Sequence, residues 1–206
     1  IVVTIPKSTD FYYQNFEYFK MDSAQDFLAS FAAQFETPED CGFFFPSNIK
    51  LEQVGQFVSV LLERVHESFF DAKKTLDRAE REDFIEIFYQ FFLLKIIDWI
   101  EPDSMSFSCK DALDTSAAEQ GMCFAFVRLF NGSFDQREEL DFFRWMIYAP
   151  AFFVRERPID AERLNRILCA LETFEEKLGK EPQKTIKSFE GLYSPTSLKM
   201  LKASFQ

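Results

Sequence analysis

Histidine, glycine and paired cysteine are scarce in this chain of 206 residues, and each scarcity removes a class of function. A single histidine, His66, leaves no material for a multi-histidine metal site. It allows a Ser-His-Asp arrangement only if His66 is the base. The 6 glycines form no glycine-rich loop of the kind that cradles a nucleotide phosphate. The four cysteines, Cys41, Cys109, Cys123 and Cys169, stand apart, without the C-x-x-C spacing of a zinc ribbon or a thioredoxin-type centre. These absences lead to an expectation of no metal and no cofactor. Basic residues are outnumbered, 23 Lys and Arg against 34 Asp and Glu, for a net charge of −11. That balance argues against general nucleic-acid binding, which depends on neutralising phosphates. Long apolar runs are also missing. The densest stretch, Phe84 to Ile100, is interrupted by Glu86, Gln90, Lys95 and Asp98, so it reads as a core helix and not as a transmembrane span.

What the chain has in excess is phenylalanine: 28 Phe beside 6 Tyr and 2 Trp. With 47% apolar residues this excludes an intrinsically disordered chain, and the length suits one domain over 1–206 with a real core. Cys41, Cys123 and Cys169 lie in apolar surroundings and read as buried free thiols of a reducing, cytosolic-type compartment. The chain begins at Ile1 without Met, which reads as a processed or excised N-terminus.

Periodicity predicts a mainly α fold with a small β element. Helices are expected from Asp22 or Ser23 to Phe35, Leu51 to Thr75, Arg81 to Ile100, Ala117 to Phe130, Ser133 to Tyr148 and Asp160 to Leu178, with a short terminal helix after Ser194. Asn131-Gly132 reads as a helix stop, Ser133 to Gln136 as a capping box, and Pro150 as a break. The segment Phe84–Ile100 is apolar nearly all round and is expected at the centre of the fold. Strands are expected at 1–5, 43–45 and 104–108. The last segment, 177–206, carries six Lys and two Glu, a basic patch on an acidic chain. It reads as a peripheral solvated tail, or as a contact surface for an acidic partner or an anionic head group.

Chemistry concentrates in the stretch 104–130, expected to be strand, loop and helix. Its loop reads Cys109-Lys110-Asp111-Ala112-Leu113-Asp114-Thr115-Ser116. A strand-to-helix loop aims backbone N–H groups and a helix dipole at one point, where an anion or a thiolate is stabilised. The loop resembles the P-loop of cysteine-dependent phosphatases, Cys, five residues, Arg, then Thr or Ser. It is most similar to phosphoinositide phosphatases: the myotubularin-like and Sac-like Cys-x-Asp-x-x-Asp-Arg-Thr, and the secreted bacterial Cys-Lys-x-Gly-Lys-Asp-Arg-Thr. Cys109, Asp111, Asp114 and Ser116 match the first pattern; Cys109, Lys110, Asp114 and Ser116 match the second. The resemblance implies a nucleophile at Cys109 and a general acid at Asp111. Asp114 would brace the loop, Ser116 would hydrogen-bond the thiolate, and Lys110 would help to hold an anion. It also implies a phosphoinositide or phosphoprotein ligand, and for the bacterial type delivery into a host cell as an effector.

The arginine position, however, holds Thr115. Without the planar fork that grips two phosphate oxygens, catalysis loses its main electrostatic support. The resemblance therefore implies a catalytically impaired phosphatase-like domain that works by binding, with a protein partner. Two alternatives stand beside it. One is a plain helical interaction module in which Asp114, Thr115 and Ser116 are an ordinary helix cap. The other is an atypical active cysteine phosphatase with Arg128 or Arg155 supplied from elsewhere. Arg155 and Arg157 would complete an anion site, or pair with carboxylates as such arginines usually do. His66 reads as a boundary residue of its helix. Asp77 to Asp83 reads as a solvated face, with Glu80 and Asp83 a weak metal candidate. The doubled phenylalanines at 43–45, 91–92, 142–143 and 152–153 cannot all face one core, so some are expected at stripe edges or in a partner patch.

Overall fold

A computed structural model describes residues 1–110, 113–132, 134 and 136–194. The chain divides into two compact units, Ile1–Phe92 and Leu93–Gln206. Seven α-helices account for most of the described residues: α1 Ala24–Ala33, α2 Leu51–Phe70, α3 Arg78–Ile100, α4 Thr115–Phe130, α5 Arg137–Arg155, α6 Ala161–Lys180 and α7 Pro182–Glu190. The fold is mainly helical, as the periodicity predicts.

In the first unit the phenylalanines form two ladders. Phe27, Phe31 and Phe35 recur at i,i+4 on and just after α1, and Phe84, Phe88 and Phe92 do so on α3, so each set lies along one helix face. The ladders meet rung by rung. Phe27 meets Phe84 at 5.3 Å between ring centroids, Phe31 meets Phe88 at 4.5 Å and Phe35 meets Phe92 at 5.2 Å, in T-shaped or tilted geometry. The rising order on both sides makes α1 and this part of α3 run parallel. Ser23 caps α1, accepting from the Asp26 N–H. Asp77 and Glu80 cap α3 reciprocally: each side chain accepts from the other's backbone N–H, at 2.9 and 3.0 Å. The charged passage after α2 is therefore a turn and a cap. His66 closes that turn. Its carbonyl accepts from the N–H groups of Asp71 and Ala72, both in the left-handed region, and its ring Nε2–H donates to the Lys73 carbonyl at 2.9 Å.

Polar side chains fasten the N-terminal segment to α3. Glu86, fully buried, holds Lys7 at 2.6 Å and accepts from the Tyr12 hydroxyl. The Lys7 ammonium also lies 5.8 and 5.7 Å from the ring centres of Tyr12 and Tyr89. Arg81, equally buried, donates to the Gln14 side chain, to Asp22 and to the carbonyls of Leu76, Tyr18 and Phe19, at 2.7–3.3 Å.

In the second unit α4 packs against both α5 and α6. Gly121 sets the α4–α5 approach, because a Cβ there would stand 2.8 Å from Ile147 Cγ1. Phe126 of α4 meets Phe174 of α6 at 4.4 Å. Asp160 caps α6 through the Arg163 N–H.

Several expectations need correction. Among the described residues the small β element shrinks to two isolated antiparallel bridges, Thr4 with Phe44 and Ser23 with Thr75. The first joins the expected strands 1–5 and 43–45 at one pair only. Residues 104–108 alternate polar and apolar but pair with no strand, and an alternating pattern without a partner ladder is not a strand. Helix α5 does not stop before Pro150 but continues to Arg155. Phe143, Ile147 and Ala151 carry one buried stripe across the proline, and that burial offsets the missing hydrogen bond. Helix α5 begins at Arg137 with no side-chain cap from Gln136; Ser133 and Asp135 of the expected capping box lie outside the described residues. Helix α7 adds to the expected elements, and the terminal helix expected after Ser194 lies outside the described residues. Of the three cysteines expected to be buried, Cys123 comes nearest to it, and burial pushes its thiol pKa up to about 12. Cys41 is half-buried and Cys169 exposed, since Cys169 sits on the outer side of α6; no disulfide joins any of the four cysteines.

Candidate functional site

Two features in the second unit carry chemical or binding content: the loop at 109–116 and the outer side of α5. In the loop, Cys109 is half-buried and its Sγ–H donates to Ser116 Oγ at 3.5 Å, with Ser116 buried in the first turn of α4. Thr115 opens α4, Lys110 is exposed, and Asp111 lies outside the described residues. Asp114 stands at the N-cap position of α4 but makes no cap hydrogen bond. Its carboxylate faces Arg157 instead, which donates through both terminal nitrogens at 2.9 and 2.6 Å, and it also accepts the Asp160 N–H at 2.9 Å. The α4 start is thus tied to the connection between α5 and α6.

The structure therefore brings Cys109 to Ser116 and, in a separate contact, Asp114 to Arg157, whose guanidinium fork is turned onto the carboxylate. Of the two arginines named as substitutes for the missing one, Arg128 pairs with Glu139 and Arg155 lies exposed in the last turn of α5.

The Arg157 guanidinium and the Asp160 N–H hold the Asp114 carboxyl below the usual carboxylate range, against a smaller opposing effect of burial. A depressed folded value means that this contact stabilises the fold above the ordinary carboxylate pKa of about 3.9 and loses its effect as pH falls through the folded value. Asp114→Asn should therefore cost about 1 kcal/mol at neutral pH, the upper end for a partly exposed pair. The variant and the native chain should converge in urea unfolding as acid titrates the carboxylate.

The other expected features have structural roles or are absorbed locally. Glu80 serves the α3 cap and pairs with Lys73. Among the described residues no group of three His, Cys, Asp or Glu side chains is placed to hold a metal ion. In the basic C-terminal segment Lys180 pairs with Glu176 and Lys184 with Glu181, both at 2.6 Å, and α7 buries Thr185 and Phe189. That part of the segment is folded, and its charge is partly answered. Lys199 and Lys202 lie outside the described residues.

The outer side of α5 carries some of the doubled phenylalanines expected at stripe edges or in a partner patch. The helix buries only Phe143, Ile147 and Ala151. Phe142, Trp145, Tyr148, Phe152 and Phe153 are exposed, Trp145 by 61% and Phe153 by 75%. Phe142 and Trp145 stack at 6.2 Å. The doubled phenylalanines thus divide: Phe91 and Phe92 are both buried, Phe143 is buried while Phe142 is exposed, and Phe152 and Phe153 are both exposed. A groove of about 370 Å³ adjoins this face, walled by Leu140, Ile147, Leu164, Leu168 and Leu171 and including Tyr148. Glu172 and Glu175 also line it. An exposed aromatic group of this size is unusual on a surface with no contact role. Among the described residues no helix is long and apolar enough to cross a membrane.

Compared with known proteins, the chain matches no family model, no curated protein and no solved structure.

Proposed function

We propose that this chain is a helical protein-binding module without competent catalysis, and that its contact surface is the outward face of α5. One observation carries the proposal: five large aromatic side chains stand exposed along one helix that buries only three residues. Aromatic residues of this kind, clustered and rigid, are the usual anchors of protein interfaces. The loop at 109–116 supports the non-catalytic side of the reading. Thr115 replaces the phosphate-gripping arginine, and Arg157 neutralises Asp114. Phosphatase-like ancestry remains the second reading, favoured by the contact of Cys109 with Ser116, the pair that such a loop would place together. In that reading the loop persists as a brace for α4.

The test is retention of partners on immobilised full chain. A Trp145→Ser/Phe152→Ser double variant should lose the proteins that the native chain retains, with helical content by circular dichroism unchanged. An identical retained set would contradict the reading. So would turnover of a phosphoinositide or phosphotyrosine ester that Cys109→Ser abolishes.

A further inference from the structure

The outward face of α5 has a pattern that selects its occupant. Asp141, Trp145, Tyr148, Phe152 and Arg155 follow one another at spacings of four, three, four and three residues, the a/d seam of a coiled coil. Trp145, Tyr148 and Phe152 form the apolar centre of the seam, and all five positions are exposed. The seam carries an acid at its N-terminal end and a base at its C-terminal end, each seven residues from Tyr148.

We infer that this face is a self-association surface that takes a second copy of the chain, α5 against α5 in antiparallel register. The inference rests on the binding reading of α5 given above and names its partner. A two-fold axis at Tyr148 places Asp141 opposite Arg155 of the second copy, Trp145 opposite Phe152, and Tyr148 opposite itself. Both ends of the seam then close on opposite charges. Parallel pairing would set Asp141 against Asp141 and Arg155 against Arg155, which is repulsive. A surface in which residue i meets j and j meets i is the requirement for a closed two-fold dimer. Asp141 already receives Arg144 at 3.0 Å and Arg137 at 3.7 Å along its own helix, but its side chain is 56% exposed and open to a further cation.

The three seam aromatics, Trp145, Tyr148 and Phe152, expose roughly 370 Å² between them. A standard protein interface buries about 800 Å² on each partner, so residues flanking the seam must supply the other half. An anionic lipid surface suits the face less well, because the chain carries a net charge of −11 and the seam itself is neutral.

The test is sedimentation equilibrium of the full chain with charge-reversed variants. The native chain should dimerise in a concentration-dependent way. Asp141→Arg and Arg155→Asp should each weaken the dimer by about tenfold or more, since each sets like charges together at both ends. The double reversal should restore it, because the opposite charges meet again. A monomer at every concentration, or a dimer indifferent to these reversals, would overturn the inference. So would phosphatidylcholine–phosphatidylserine vesicle binding by a monomer that Trp145→Ser abolishes. A monomeric native chain whose retained proteins are still lost in the Trp145→Ser/Phe152→Ser variant would defeat the inference alone. An unchanged retained set would defeat the binding reading itself.

Discussion

Replacing Arg81 with methionine is expected to destabilise the protein by roughly 3–5 kcal/mol, the range for removing one member of a buried, fully engaged charged group. The side chain is completely buried, and its guanidinium reaches five oxygens: Gln14 Oε1, Asp22 Oδ1 and the carbonyls of Leu76, Tyr18 and Phe19. Methionine fills the volume but donates nothing, so buried acceptors lose their partner and the desolvation cost is uncovered. Asp22, 73% exposed, contributes little of this. The backbone adds a second effect. Gln14 and Phe16 both have φ near +51°, a conformation disfavoured for residues with side chains, and the Arg81 contacts hold the turn in which they stand. Lysine should recover little, since a single ammonium cannot span acceptors arranged around a planar fork. Urea unfolding measures the cost, and hydrogen exchange should show amides of residues 14–22 losing protection first. A midpoint within about 0.5 kcal/mol of the native chain would show that the network adds little net stability.

The second large effect is expected at Glu86. Glu86→Leu should cost about 3–5 kcal/mol, because it strands the Lys7 ammonium, only 10% exposed, and the Tyr12 hydroxyl without their acceptor. The triple change Lys7→Met, Tyr12→Phe and Glu86→Leu should recover most of the loss, since the two donors that lost their Glu86 acceptor are removed with it. If the triple variant is as unstable as the single one, packing and not charge explains the effect. Either way the measurement is a urea midpoint at unchanged m. Both predictions concern the first unit, where Arg81 and Glu86 of α3 anchor the N-terminal segment.

Much of the helical scaffold was legible because it depends on local spacing. The Phe27, Phe31, Phe35 and Phe84, Phe88, Phe92 series announce one-sided stripes, though not that they meet rung by rung, which is a property of two helices and not of either alone. Glu86 was legible only as an interruption of an apolar run. Its partner Lys7 lies 79 residues away, and no local signal links the two. Arg157 and Asp114 are 43 residues apart, and the pairing that answers the loop's acid is equally non-local. Pro150 misled because its local cost is real, yet the stripe Phe143, Ile147 and Ala151 continues past it. The strand expected at 104–108 failed for a related reason: alternation describes one strand, and a strand exists only with a neighbour. On α5 the sequence held enough information, since a helical wheel separates Phe143 and Ile147 from Trp145, Tyr148 and Phe152. Reading the aromatics chiefly as core concealed that separation.

If the outward face of α5 takes a second copy of the chain, the most direct signature is mass. Sedimentation equilibrium of the native chain should show the 24.2 kDa species giving way to one of twice that mass as concentration rises. The Trp145→Ser/Phe152→Ser variant should need a concentration at least about thirtyfold higher to do the same, as expected for loss of central aromatic anchors. Identical association of the two proteins, or a 24.2 kDa species alone throughout, would contradict it.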